Sequence, residues 1–453
     1  MESASQAGLA GQGGESMPPV ERVVVARLGV FAGGLTAESV AAVLELPLQT
    51  TSCVLDALTE RSLLTLCDGR YEVLDAIHTY SEEQVSSTEA DDLHARHAAY
   101  LLALVRRADA HLRGPDQLRW ATSIRQESDN LHRAIEWATE QDQRLALELV
   151  AGLSTYWWMH GLRDEAGQAA HGLLGVLGPV VPDGLAEEYL LAVLHAAGSG
   201  RPDGVEQARV IVEELVEPFR YPATVLLWSI VLGPLVPPEL VAEVLARQEL
   251  STDPWTLAAV QLCSGYAGLT DAAEVAQAAL AQFQLVGDRW GSLLALDELA
   301  ELAARSKQFK RSAELLSQAL PLADELGLDE EGASLLCGRG DLRLRLREPH
   351  AAADDYSQAL VRAKRSSSPY FSAAARIGLA KAARYGGDLA KAQELALVAL
   401  SRCPDDWDEA DLAMTEALGE LAAIAAAAGR PEEAHSWRVK AGLASEQYRS
   451  AGR

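Results

Sequence analysis

The chain has 453 residues, of which 49% are hydrophobic, 23% charged and 6% aromatic, and its formal net charge is −26. That length exceeds one compact core of ordinary domain size, and a composition rich in Ala and Leu but poor in aromatics favours helix over sheet. So acidic a chain is repelled by nucleic-acid phosphates and by anionic membrane surfaces unless it gathers its bases into one patch.

Residues 1–19 (MESASQAGLAGQGGESMPP) lack the apolar surface needed to order themselves, and the expectation there is a flexible tail. Residues 20–90 read as three short helices and a hairpin. The first helix carries Val24, Val25, Leu28 and Phe31 and stops at Gly33-Gly34. Thr36 caps a second helix, which has Glu38 in its first turn and ends before Pro47. A third begins near Thr50-Thr51 and sets Val54, Leu55, Leu58 and Leu63 at helical spacing. In LLTLCDGRYEVL, Asp68-Gly69 stands between two short apolar runs, a strong hairpin signal. Three helices and then a hairpin is the winged-helix order.

From Asp91 onward the pattern is helical, interrupted by breakers at Gly114-Pro115, Gly178-Pro179, Pro182-Asp183-Gly184, Pro202-Asp203-Gly204 and Pro237-Pro238. Residues 91–250 are expected as a helical linker with degenerate repeats, and residues 251–445 as clear ones. Pairs of small residues seven apart occur at Ala272/Ala279, Ser312/Ala319, Ala352/Ala359, Ala392/Ala399 and Ala434/Ala441, with a spacing of 40 residues three times and 42 once. Twelve positions before each pair stand Val260, Ala300, Gly340, Ala380 and Ala422, four of them small. Small residues at these places are what a tetratricopeptide (TPR) hairpin needs where its two helices cross. The expected fold class is all-α: a small winged-helix-like module followed by a TPR-like α-solenoid.

The stretches RLGVFAGGLTAESVAAVL and LDALTERSLLTLCDGRYEVLDAIHTYSEEQ, with HARHAAYLLALVRRADAHLRGPDQLRWATSIRQESDNLHRAIEWA after them, carry a resemblance. They are similar to the winged-helix segment, and the link into the TPR sensor, of bacterial STAND-type transcriptional regulators of the SARP-like and LuxR-like kind. The resemblance covers about residues 18–174, and the later repeats match only as generic TPR. It implies a place in transcriptional control. Members of that family carry a P-loop (NB-ARC) ATPase before the winged helix, whereas this chain begins where that module would end. No G-x-x-x-x-G-K-[ST] run occurs, and in the Gly-rich stretch Gly8–Ser16 the phosphate-binding Lys position holds Gly14. The resemblance therefore implies the C-terminal, winged-helix-plus-TPR half of such a regulator, without its motor.

Between Glu21 and Glu89 four arginines face eleven acids, and the third helix offers Asp56 and Glu60 beside a single Arg61. DNA readers need net positive charge on that surface, so a packing role between modules is the expectation. His94 and His97 stand at a spacing that metal sites use, but without companion ligands they read as two surface histidines. Trp120, Trp137, Trp157 and Trp158 could floor a ligand pocket, although core packing at the junction is the commoner role. Cys53, Cys67, Cys263, Cys337 and Cys403 show no C-x-x-C spacing and read as reduced, mostly buried thiols. There is no secretory signal in residues 1–19 and no apolar run of ~20 residues, so a cytoplasmic location is expected and no membrane span. No catalytic motif, metal motif or cofactor fingerprint is found, and the expectation is a protein that is not an enzyme and holds no cofactor.

The candidate site is electrostatic. From Arg339 to Arg384 ten bases face four acids. In TPR units the first helix lines the groove at positions one, four and five after its small residue. These positions are Glu301, Ala304 and Arg305, then Asp341, Leu344 and Arg345, then Lys381, Arg384 and Tyr385. Glu301–Arg305 and Asp341–Arg345 are i,i+4 pairs that can satisfy each other, whereas Lys381 and Arg384 have no such partner on their own helix. The expectation is that Arg345, Lys381, Arg384 and Tyr385 capture a carboxylate or an acidic segment of a protein or peptide partner; the bland alternative is a solvated face, or one paired with acids elsewhere in the chain. Two rival functions stand beside this one: a DNA-binding regulator using residues 20–85, and a split partner subunit of a STAND ATPase docking through Val24, Leu28 and Phe31. Homo-oligomerisation stays open.

Overall fold

The computed structural model describes residues 17–201, 204–402 and 410–451. The expected tail, apart from its last three positions, and the Pro202-Asp203 breaker lie outside the described residues. The chain divides into two compact units, Met1–Cys263 and Ser264–Arg453.

The first unit begins with α1 (Pro19–Val25), a 3-10 turn (Leu28–Val30), α2 (Ala37–Leu44) and α3 (Leu48–Glu60). A hairpin of β1 (Leu64–Cys67) and β2 (Arg70–Val73) and then α4 (Asp75–Gln84) complete a winged-helix-like module. Thr36 and Ser39 cap α2 reciprocally: Thr36 Oγ1 accepts from the Ser39 N–H at 3.1 Å, and Ser39 Oγ accepts from the Thr36 N–H at 2.9 Å. The strands pair antiparallel from Leu64↔Val73 to Cys67↔Arg70. Asp68 (φ 50°) and Gly69 (φ 79°) both take the left-handed conformation that a two-residue hairpin turn demands. Leu35 adds a third rung by exchanging backbone hydrogen bonds with Tyr71 at 2.8 and 2.9 Å.

Two expectations fail here. The first helix does not run to Gly33, because Ser81 of α4 interrupts it: Ser81 Oγ donates to the Ala26 carbonyl at 2.5 Å and accepts from the Gly29 N–H at 3.3 Å. Nor do Val24, Leu28 and Phe31 form an exposed docking patch; all three are fully buried in the module's core. The apolar side chains that α1 leaves in solvent are Val20 and Val23. The third helix also starts earlier than expected, at Leu48 behind Pro47.

Ten α-helices follow in the first unit among the described residues, the last of them running past Cys263. They are α5 (Ser87–His111), α6 (Gln117–Gln126), α7 (Ser128–Gln141), α8 (Gln143–Met159), α9 (Arg163–Leu177), α10 (Ala186–Gly198), α11 (Val205–Glu214), α12 (Ala223–Leu227), α13 (Pro238–Gln248) and α14 (Pro254–Tyr266). Helix α8 is the hub. Every residue from Leu149 to Met159 is buried, because α5, α7, α9 and α10 all pack against it. His97 of α5 belongs to this interior rather than to the surface, being 1% exposed with its ring edge-on to Phe31 at 4.8 Å. Among the described thiols, Cys263 is buried and Cys337 half-buried, but Cys53 and Cys67 are exposed, against the expectation of mostly buried cysteines; Cys403 lies outside the described residues.

The second unit is a row of antiparallel helices: α15 (Ala272–Val286), α16 (Arg289–Arg305), α17 (Phe309–Leu326), α18 (Asp329–Arg345), α19 (Pro349–Arg365), α20 (Pro369–Tyr385), α21 (Leu389–Ser401), α22 (Ala410–Ala427) and α23 (Pro431–Ala451). Each packs on the next, and the first helices of successive repeats also touch, α18 on α20 and α20 on α22. The small-residue register explains the spacing. Ala319, Ala352, Ala359, Ala380 and Ala392 are fully buried. Ser312 Oγ donates to the carbonyl of Ala300, its partner twelve positions earlier, at 2.7 Å. No strand follows Val73 among the described residues, and no described helix is long and apolar enough to cross a membrane.

Candidate functional site: the first-helix face of the repeats

Helices α16, α18, α20 and α22 are the first helices of their repeats, and they carry the residues singled out by position. Arg345 closes α18, its side chain exposed and its guanidinium 5.3 Å from the centre of the Phe309 ring. One helix on, Lys381 sits half-buried in α20 with Nζ 3.9 Å from Asp341 Oδ1 on α18. Tyr385 is 53% exposed, and the Arg384 guanidinium lies 4.7 Å over its ring. The Lys381–Asp341 pair thus joins α20 to the same helix that carries Arg345.

Arg384 is not available to a partner. Its Nε and Nη2 donate to the two oxygens of Glu420 on α22, at 2.6 and 3.1 Å, and that carboxylate is only 5% exposed. This bidentate hydrogen bonding holds the guanidinium above its usual pKa. The expected Glu301–Arg305 pair forms at 3.4 Å, and Arg305 also reaches Glu298. Asp341 turns away from Arg345: it meets Lys381 and accepts from Tyr356 Oη at 2.7 Å.

The wider basic run is largely internal wiring. Arg339 and Arg343 converge on Asp355, which has no exposure, at 2.6 and 2.7 Å. Arg362 meets Asp324 at 2.6 Å and Arg365 meets Asp329 at 2.7 Å. The acids Asp324, Asp329 and Glu420 lie outside the basic stretch, so a charge count confined to residues 339–384 misses them. Of the four residues singled out, Arg345 and the ring of Tyr385 are exposed and Lys381 is only weakly held. Further along the same face, burial raises Asp297 of α16 to about 6, with Glu301 and Glu298 adding to the shift.

On the third helix of the winged-helix-like module the exposed charges are acidic. On α3 the exposed residues are Leu48, Gln49, Thr50, Cys53, Asp56 and Glu60, and Arg61 beside them is paired with Glu21 at 3.2 Å. Instead, the wing base is fastened to α6 and α7. Arg70 donates to Glu127 Oε1 and to the Gly34 carbonyl, both at 2.6 Å. Asn130 accepts from the Gly33 N–H at 3.1 Å and donates to the Gly34 carbonyl at 3.0 Å. The four tryptophans do not share one floor. Trp120 stacks on His111 at 5.0 Å, Trp158 lies under Arg163 at 5.0 Å, and only Trp137 and Trp157 line a common cleft. No group of three or more His, Cys, Asp or Glu that could hold a metal occurs among the described residues.

No protein-family model matches the chain. Proteins named HTH-type transcriptional regulators from Mycobacterium bovis and Mycobacterium tuberculosis are 32% identical to it over 149 residues, which is 30% of this chain and 16% of theirs. The matched stretch is therefore about a sixth of the length of those relatives. Among solved structures, a signal transduction ATPase with numerous domains (STAND) protein with a tetratricopeptide repeat sensor, from Pyrococcus horikoshii, superposes with a TM-score of 0.61 at 14% identity. The superposition covers 98% of this chain and 65% of that one, and it shows a common fold.

Proposed function

We propose that the chain is a non-catalytic regulatory protein, corresponding to the winged-helix and TPR part of a STAND-type transcriptional regulator, and that it binds a protein or peptide partner through the first-helix face of its repeats. The observation that carries the reading is that Arg345 of α18 and Lys381 and Tyr385 of α20 stand on two first helices that pack on each other, where a cation, a loosely paired ammonium and an exposed phenol suit an acidic segment. Arg384 belongs to this site as a support: its bond to Glu420 fixes α20 against α22. The name shared by the mycobacterial relatives supports a regulatory role. The fastening of the wing to Glu127 and Asn130 supports a packing role for the winged helix, and Asp56 and Glu60 on α3 oppose the rival in which it reads DNA.

The test compares partners captured from a native lysate by the wild-type chain and by Arg345→Glu/Lys381→Glu. Arg345 is exposed and Lys381 half-buried beside Asp341, so the double variant reverses the local charge, and its helical circular dichroism and unfolding temperature are compared with the wild type to check that the fold is kept. A partner held by the wild type and lost by the variant is the expected result. Identical partners on both proteins would overturn the groove reading.

A further inference from the structure

A cleft of about 990 Å³ opens between α7, α8 and α9 in the first unit. Its floor is aromatic: Tyr156 and Trp157 of α8 line it and are each 6% exposed. Trp137 of α7 forms a wall, and its indole N–H is buried with no acceptor among the described residues. A volume of this size is at the upper end of what small-molecule pockets enclose.

The rim is acidic. Asp129, Glu136, Glu140 and Glu165 line the cleft against a single arginine, Arg133. Glu136 is paired with His132 at 3.2 Å, whereas Asp129, Glu140 and Glu165 form no ion pair among the described residues. Small residues keep the mouth open: a β-carbon on Gly172 of α9 would meet nothing within 4 Å.

We propose that this cleft is a binding site for a small organic cation, an apolar or aromatic body carrying a protonated amine. Ring faces of Trp and Tyr attract cations, and unpaired carboxylates at the rim add coulombic attraction where the amine emerges. An anion of the same shape would meet three carboxylates that have no ion pair among the described residues, against one guanidinium. A neutral body would leave the rim charge unused. The site is separate from the repeat groove and stands whether or not a partner binds there.

The test is calorimetric titration of the full chain with three indoles of matched shape: tryptamine (cationic), tryptophol (neutral) and indole-3-acetate (anionic), at neutral pH and low ionic strength. Tryptamine is expected to bind at a single site, tryptophol several-fold more weakly, and indole-3-acetate not at all. Glu140→Gln/Glu165→Gln, two exposed positions, weakens tryptamine by about fivefold and leaves tryptophol unchanged. Gly172→Phe fills the mouth without a clash at the β-carbon and abolishes tryptamine binding while the unfolding temperature holds. The proposal is overturned if tryptamine fails to bind at millimolar concentration, if indole-3-acetate binds as well, or if Gly172→Phe binds tryptamine like the wild type.

Discussion

Tyr356 occupies the space that a side chain on Gly378 would need: a β-carbon there would overlap Cδ1 and Cε1 of the ring. On its other side, a β-carbon on Gly340 would come within 2.7 Å of Tyr356 Cζ. The ring is wedged between two glycines of successive first helices, α18 and α20. Gly378→Ala is expected to destabilise the second unit by about 1–3 kcal/mol through overpacking. That outweighs the roughly 1 kcal/mol by which alanine favours a helix over glycine. Gly338→Ala, whose β-carbon would lie 3.4 Å from Leu316 Cδ1, is the control and leaves stability unchanged or higher. Urea unfolding of the two variants decides the matter, and equal midpoints would remove the wedge from the account.

Arg70→Gln is expected to loosen the winged helix from α6 and α7. It leaves the Glu127 side chain, 8% exposed, without its cation. The cost is about 2–4 kcal/mol of local stability. Hydrogen exchange at Gly33, Gly34 and Leu35 should quicken in the variant, while exchange in α18 and α19 stays as it was. Unchanged exchange at the glycines would mean that Asn130 alone holds the contact.

Arg384→Gln strands the Glu420 carboxylate in the same way, and a loss of about 2–4 kcal/mol is expected. The double variant Arg384→Gln/Glu420→Gln removes the buried charge as well and recovers most of that loss. A thermodynamic cycle on the two positions gives the coupling. A coupling near zero would free Arg384 for the partner role.

Acid should weaken the first unit selectively. Burial holds His97 and His195 down at about 3 and His160 at about 4, against 6.5 for the free side chain. Each is neutral in the folded state, so its contribution is complete above 6.5. It is lost as pH falls from there toward the folded value, at about 1.4 kcal/mol per pH unit for each histidine. Asp297 in the second unit works the other way. With its folded value raised to about 6 from 3.8, it keeps its proton in that window, and folding gains as pH falls through it. Segment-resolved hydrogen exchange in urea, from about pH 7 to about pH 5, should show α5 and α8 losing protection before α16 does, whereas in α10 the raised pKa of buried Glu187 opposes the effect of His195. Parallel losses would contradict the assignment.

Much of the fold was legible because its determinants are local. The cap at Thr36 and the turn at Asp68-Gly69 need only adjacent residues. The repeat register is also local in kind, since Ser312 finds Ala300 within one helical hairpin. The break after α1 was not legible, because Ser81, more than fifty residues on, makes the 3-10 turn by bonding Ala26 and Gly29. The burial of His97 depends in the same way on Phe31 from another module. The candidate face was legible in position but not in charge state. Counting i,i+4 neighbours correctly left Arg384 without a partner on its own helix, yet Glu420 stands 36 residues away.

The ion pairs of the second unit have a mechanical consequence. Arg289–Glu325, Arg365–Asp329 and Arg384–Glu420 each span 36 residues, and Lys381–Asp341 spans 40. The first two straps close single hairpins, α16 on α17 and α18 on α19, whereas Arg384–Glu420 and Lys381–Asp341 tie the first helices of successive repeats, α20 to α22 and α20 to α18. A pull on the C-terminal end therefore loads the inter-repeat pairs in turn, Arg384–Glu420 before Lys381–Asp341, while the pairs inside a hairpin hold until that hairpin itself opens. The hairpins should peel off in sequence, each releasing roughly 130 Å of extended chain. A force–extension trace of this unit would be a sawtooth, with its tallest tooth where Tyr356 leaves its pair of glycines.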